Sequence, residues 1–124
     1  MLAHVKAGYP DEACGVLADA NGTIVKHYPA TNAAERPDDF SIIGPEEAIR
    51  INNEIDQNDW NYFAYYHSHP RSQAYPSSRD IDYAGYSGLL YIIFSLRDFE
   101  HPEMRAFTIH RDRSVSEHPI IIEP

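Results

Sequence analysis

The residues best suited to chemistry stand in one stretch: His67-Ser68-His69-Pro70, six intervening residues, then Ser77-Ser78-Arg79-Asp80. Side chains alternate faces along a strand, so if His67 and His69 end one, their imidazoles point the same way. Two imidazoles on one face can share a metal ion. Pro70 lacks an N–H, ends the pairing and turns the chain away. Ser77 and Asp80 lie three apart at an expected helix start, which puts both on one helix face. If that helix packs beside the strand end, Asp80 completes a set of two His and one carboxylate. With an open fourth position, that is a catalytic zinc pattern. Zinc brings the pKa of a bound water close to neutral and so makes hydroxide available. Glu12, in Pro10-Asp11-Glu12-Ala13-Cys14-Gly15, is the candidate proton shuttle to a leaving amine. Ser77 is the candidate donor to a developing oxyanion.

Each of these has a plainer reading. His-x-His alone describes many polar strand ends. Ser77-x-x-Asp80 is also a capping box, compatible with ligation if Ser78 does the capping. Glu12 alone is a solvated turn residue. Cys14 reads as a small buried side chain. The six tyrosines Tyr62, Tyr65, Tyr66, Tyr83, Tyr86 and Tyr91 read as core, and Tyr75 as a candidate wall of a substrate groove. His4, His27, His101, His110 and His118 show no ligand spacing. Arg71 and Arg79 read as a solvated loop near the metal.

The elements that must position these groups follow from pattern. Residues 1–9 have a helical spacing of apolar residues, ended by Pro10. The short apolar run 13–17 reads as a strand, Asn21-Gly22 as a hairpin turn, and 23–28 as the return strand. Residues 29–44 read as a long loop with a short strand near 40–43. Pro45, Glu46 and Glu47 suit a helix start, and Ala48, Ile51 and Ile55 supply its apolar stripe, giving a helix over 45–57. Residues 62–67 read as a strand and 70–76 as a loop. A helix from Ser77 or Ser78 to about Tyr86 follows, then a buried strand over 88–95. Two more strands, 104–110 and 114–122, close the chain. The class is α/β.

The 124 residues fit one domain spanning 1–124. No stretch approaches the ~20 apolar residues of a membrane span, and the N-terminus lacks a signal-peptide core, so a cytoplasmic protein is expected. A single cysteine, Cys14, precludes an intrachain disulfide. A net charge of −9 argues against binding nucleic acid, which needs a positive surface. Only Lys6 and Lys26 are lysines, and this acidic, Lys-poor balance fits a salt-rich cytoplasm.

The string His67-x-His69-Pro70-x6-Ser77-x2-Asp80 with upstream Glu12 resembles the JAMM motif of MPN-plus metalloproteases. Pro10-x-Glu12-Ala13-Cys14-Gly15-Val16-Leu17 is similar to the glutamate segment of the family's small prokaryotic branch. The resemblance extends over most of the chain. It implies an MPN-like (cytidine-deaminase-like) fold, a mixed, mostly antiparallel curved sheet flanked by helices. It implies one zinc ion on His67, His69 and Asp80, with Glu12 as acid/base and Ser77 supporting the tetrahedral intermediate. It also implies hydrolysis of a peptide-type bond at the C-terminal Gly-Gly tail of a ubiquitin-like sulfur-carrier protein, in some relatives releasing cysteine. The tail is expected to add beside the metal as an extended strand. By that resemblance, the family's usual N-terminal strand is expected to be absent or shortened before Met1. The long insertions that set linkage choice in eukaryotic relatives are not evident.

Two readings from other classes stand beside this one. A non-catalytic MPN-type interaction module does not need the ligand set. A metal-dependent hydrolase of a small amide would use the same set. Zinc deaminase chemistry needs His-x-Glu with a cysteine pair, and this chain has one cysteine.

Overall fold

The computed structural model describes residues 1–83 and 89–120. Six strands form one sheet in the order β2-β1-β3-β4-β5-β6. In chain order these are β1 (Cys14–Ala20), β2 (Thr23–Ala30), β3 (Asn61–His69), β4 (Leu90–Ser95), β5 (Glu103–Ile109) and β6 (Val115–His118). All neighbours are antiparallel except β3 and β4. The helices are α1 (Leu2–Gly8), α2 (Pro45–Gln57) and α3 (Ser78–Tyr83). Among the described residues no helix is long and apolar enough to cross a membrane.

Local chemistry accounts for the elements. Asn21 and Gly22 both take positive φ, 53° and 85°, as the tight β1–β2 hairpin requires. Pro45 opens α2 where its missing N–H costs nothing, and Glu46 and Glu47 sit at the positive end of the helix dipole. Ile51 and Ile55 seat α2 on Val16, Ala18 and Tyr28. Val5 of α1 packs with Leu17, Ala64, Tyr66 and Phe94 in a separate cluster. The sheet is thus sandwiched, and alternate residues of β3 face the two layers.

Several expectations shift. The strand expected near 40–43 reduces to one bridge, Asn32 to Ile43, because Asn32 rather than a second strand takes up the loop's backbone groups. β1 runs further than the apolar run suggests, since Asp19 still pairs on both sides. Tyr66 and Tyr91 are core, whereas Tyr62 and Tyr83 are exposed. Tyr86, the end of the expected helix and the start of the following strand at Gly88 lie outside the described residues, whereas the last strand, expected to run to 122, already ends at His118.

The parallel β3–β4 pair positions the site. Parallel neighbours need a crossover rather than a hairpin. Here the connection carries α3, and with it Asp80, back toward the end of β3.

Candidate metal centre

His67 and His69 close β3 with one residue between them, and both imidazoles are buried. Their Nε2 atoms lie 3.1 Å apart. Asp80 Oδ2 is 3.1 Å from each. The three donors therefore form an equilateral triangle. Zinc–donor bonds of about 2.0–2.1 Å in tetrahedral geometry set neighbouring ligand atoms about 3.3 Å apart. The observed triangle fits that spacing.

The donor chemistry fits as well. His69 Nδ1 lies 2.9 Å from the Gln73 carbonyl. A carbonyl only accepts, so Nδ1 carries the proton and Nε2 presents a lone pair to the cluster. Burial alone would lower the His69 pKa and raise that of Asp80. Hydrogen bonds to Asp80 and Gln73 and the Asp80 charge outweigh burial at His69 and raise it, while the charge and hydrogen bond of His67, followed by the His69 and Ser77 bonds, hold Asp80 well below the usual carboxylate range. His67 Nδ1 and Glu12 Oε1 are buried with no hydrogen-bond partner among the described residues.

Asp80 is held by the helix start. Its Oδ2 accepts the Ser77 N–H at 2.9 Å, and its own N–H donates to Ser77 Oγ at 3.1 Å. This is a capping box with an aspartate in the acid's place. Ser77, not Ser78, is the cap, which corrects the division of labour expected from the sequence. The reason is spacing, since only a residue three before Asp80 can exchange both bonds. Ser77 Oγ acts here as acceptor and keeps its own proton to donate.

Glu12 reaches the cluster from the segment before β1. One of its carboxylate oxygens, with a nitrogen from each of His67 and His69, forms a group whose atoms lie within 4.8 Å of one another. Burial pushes its pKa up to about 8, against the opposing pull of His69. Three backbone bonds set its position. Its own N–H donates to Pro37 O at 2.7 Å. The next residue, Ala13, donates its N–H to Ser68 Oγ at 2.9 Å and accepts the Ser68 N–H at 3.0 Å. Ser68 lies between the two histidines, so the His-x-His strand itself clamps the glutamate segment.

Sequence reasoning missed Asn32. Its Nδ2 reaches the carbonyls of Glu12, Pro37 and Phe40 at 2.9, 3.2 and 2.9 Å. Its Oδ1 accepts the N–H groups of Ala34 and Ile42. It ties the 33–43 loop to the Glu12 backbone. The available signal was an Asn opening a proline-containing loop, where Asn commonly satisfies backbone groups.

Two clefts without a shared lining residue adjoin the cluster. One, of about 290 Å³, lies beside His67 and Asp80 and is walled by Val16, Ile43, Tyr65 and Tyr91. The other, of about 240 Å³, is lined by Glu12, His69 and Ser77 together with Asp38, Asp39 and Arg71. Tyr75, expected as a possible groove wall, lines neither. It stacks edge-on against Phe107 at 5.3 Å. Cys14 is buried opposite His67, and burial raises its thiol pKa to about 11, so it is no thiolate nucleophile.

Comparison with known proteins adds an independent line. A family model described as prokaryotic homologs of the JAB domain matches residues 1–110. The chain is 36% identical over 122 residues to the CysO-cysteine peptidase of Mycobacterium tuberculosis, an alignment covering 97% of this chain and 82% of that protein. It is 35% identical over 102 residues to the desampylase of Haloferax volcanii, covering 77% and 73% of the two. A solution structure of a Desulfitobacterium hafniense protein superposes with a TM-score of 0.85 at 32% identity, over 99% of this chain and 86% of that one.

Proposed function

The chain belongs to the prokaryotic JAB family, and from that premise we propose that it is a zinc-dependent hydrolase of a peptide-type bond at the C-terminal tail of a ubiquitin-like carrier protein. Residues 1–124 are read as one catalytic domain. The observation that carries this reading is the triangle of His67, His69 and Asp80 donors with the Glu12 carboxyl close by. The names of two relatives support the substrate class, since one is called a CysO-cysteine peptidase and the other a desampylase.

His67, His69 and Asp80 would hold the ion. Zinc bound there supplies Lewis-acid polarisation of a carbonyl and acidifies water. Glu12 takes a proton from the attacking water and delivers it to the leaving nitrogen. Its buried, otherwise unpartnered oxygen is suited to both transfers. Ser77 donates its free hydroxyl proton to the developing oxyanion. The backbone clamp through Ser68 and Asn32 keeps Glu12 in reach throughout.

The test is a panel of ubiquitin-like carriers bearing C-terminal extensions, read by mass spectrometry. Cleavage directly after the final Gly-Gly, blocked by a chelator, is the expected result. Glu12→Gln should retain zinc yet lose about 10²- to 10⁴-fold in rate, the usual worth of a general acid–base. Undiminished turnover in that variant would remove Glu12 from the mechanism.

A further inference from the structure

We propose that Arg71 reads the free α-carboxylate of the leaving group, so that the enzyme releases a single amino acid from a carrier tail. This rests on the hydrolase reading above and adds which side of the scissile bond each cleft serves.

Glu12 must stand beside the leaving nitrogen to protonate it, so the leaving group occupies the cleft that Glu12 lines. That cleft holds about 240 Å³. Ordinary ligand pockets run about 300–1,000 Å³, so this one suits one amino acid rather than a folded partner. The apolar cleft beside His67 and Asp80 is left for the acyl side of the tail.

Among the described residues, Arg71 is the one Lys or Arg lining the Glu12 cleft. It lies two residues beyond His69 and one beyond Pro70, at the start of the loop leaving β3. Its protein partners are weak. Asp38 O and Asp38 Oδ2 both lie at 3.4 Å from one guanidinium nitrogen. The pair is half-exposed, at 59% and 41%, and such pairs contribute little. A guanidinium carries five donors in a fork that matches a carboxylate bidentately, so an incoming carboxylate competes well. Arg79 is not equivalent, because its guanidinium lies over the Phe40 ring at 4.3 Å.

Asp38 and Asp39 also line this cleft. They set the competing outcome, a cationic leaving group such as the side-chain amine of a lysine-containing segment. The product chemistry differs: an α-linked single residue leaves with a free carboxylate, whereas an isopeptide-linked lysine leaves as part of a chain.

The experiment uses the zinc-loaded enzyme and a ubiquitin-like carrier extended by one alanine after Gly-Gly, made as the free acid and as the C-terminal amide. The wild type should prefer the acid by on the order of 10- to 100-fold in kcat/KM, chiefly through KM, the worth of a charge-assisted hydrogen bond. Arg71→Ala should bring the acid-to-amide ratio close to one, and Arg71→Lys should restore part of it. The ratio is internally controlled, because lost folding lowers both rates alike. Binding of the two intact carriers to Glu12→Gln, measured by calorimetry, should show the same preference without turnover. Cleavage of both carriers at equal rates would overturn the Arg71 assignment and leave the hydrolase reading standing. Faster cleavage of a lysine isopeptide, indifferent to Arg71→Ala, would overturn it in favour of the cationic leaving group. Failure to cleave any carrier would remove the hydrolase reading and Arg71 with it.

Discussion

Ser68→Ala isolates the clamp between the histidine strand and the glutamate. Ser68 is fully buried, and its Oγ is the acceptor for the Ala13 N–H at 2.9 Å. Alanine leaves that N–H buried and unsatisfied, at a cost of about 1–3 kcal/mol. Unfolding entropy of roughly 2.1 cal/mol/K per residue makes 1 kcal/mol worth about 4 °C for a chain of this length. The melting temperature should therefore fall by roughly 4–12 °C. The functional effect is separable. His67, His69 and Asp80 keep their positions, so zinc content should stay at one equivalent. Glu12, one residue from the broken bond, loses its fixed distance. A displacement of about 1 Å in a reacting group can cost on the order of 10²-fold in rate. The expected result is a kcat at least ~10-fold lower with KM little changed. Ser68→Thr keeps the oxygen and should recover kcat more fully than stability, because its extra methyl must fit a packed site. Calorimetry, metal analysis and steady-state kinetics on the three proteins decide it. Wild-type melting and wild-type kcat in Ser68→Ala would refute the clamp.

Removing the metal should destabilise the protein. At a free zinc concentration of 1,000 times Kd, binding contributes about 4.1 kcal/mol. Chelated protein should therefore melt roughly 15 °C lower and recover on adding zinc; equal melting with and without zinc would count against the site. Gly15→Ala should cost about 1–3 kcal/mol or more, because the new Cβ would run into the buried Tyr66 ring; unchanged denaturant midpoints would show that Tyr66 can move. In the metal-free protein, Glu12 holds its proton up to about 8, while the unfolded chain ionises it near 4.5. The unfolded state thus releases the proton first as pH rises, and the metal-free fold should lose stability between pH 5 and 8. Glu12→Gln should show a shallower decline across that window, measured by urea melts of chelated samples.

Much of this architecture was legible because local rules decided it. Pro45, the two glutamates and the Ile51/Ile55 stripe define α2 over the very bounds expected. Asn21-Gly22 defines the hairpin. His-x-His on a strand end fixes two donors by alternation alone, and they do converge. What was not legible is long-range. No periodicity in β3 or β4 says that they run parallel. An Asn opening a proline-containing loop hints at local backbone bonding, but not that one side chain serves five backbone groups, among them the carbonyl of Glu12 twenty residues earlier. Tyr62 and Tyr83 are exposed while Tyr66 and Tyr91 are buried, a difference that residue type alone does not carry. The capping role of Ser77 could be read either way, because Ser77 and Ser78 are chemically alike and only the observed bonds choose.

The placement of Glu12 shows why fold and chemistry share the same contacts. His67, His69 and Asp80 lie within fourteen residues of one another and need only β3 and α3. Glu12 is more than fifty residues away and arrives through the pairing of β1 with β3, with Pro37 and Asn32 holding its backbone from the other side. A one-residue slip in that register would turn each β1 side chain to the opposite face and shift the glutamate segment along the histidine strand. Two features oppose a slip. Tyr66 lies across Gly15, its register partner, so a residue with a side chain cannot take that place without a clash. Ser68 and Ala13 exchange two bonds just beyond the last ladder pair, Cys14 with His67. Both lie within three residues of Glu12 or of a metal-facing histidine. The interactions that choose the sheet register are therefore the ones that set the distance between Glu12 and the His67, His69 and Asp80 cluster, and weakening either should reduce stability and, on the proposed mechanism, catalytic rate together.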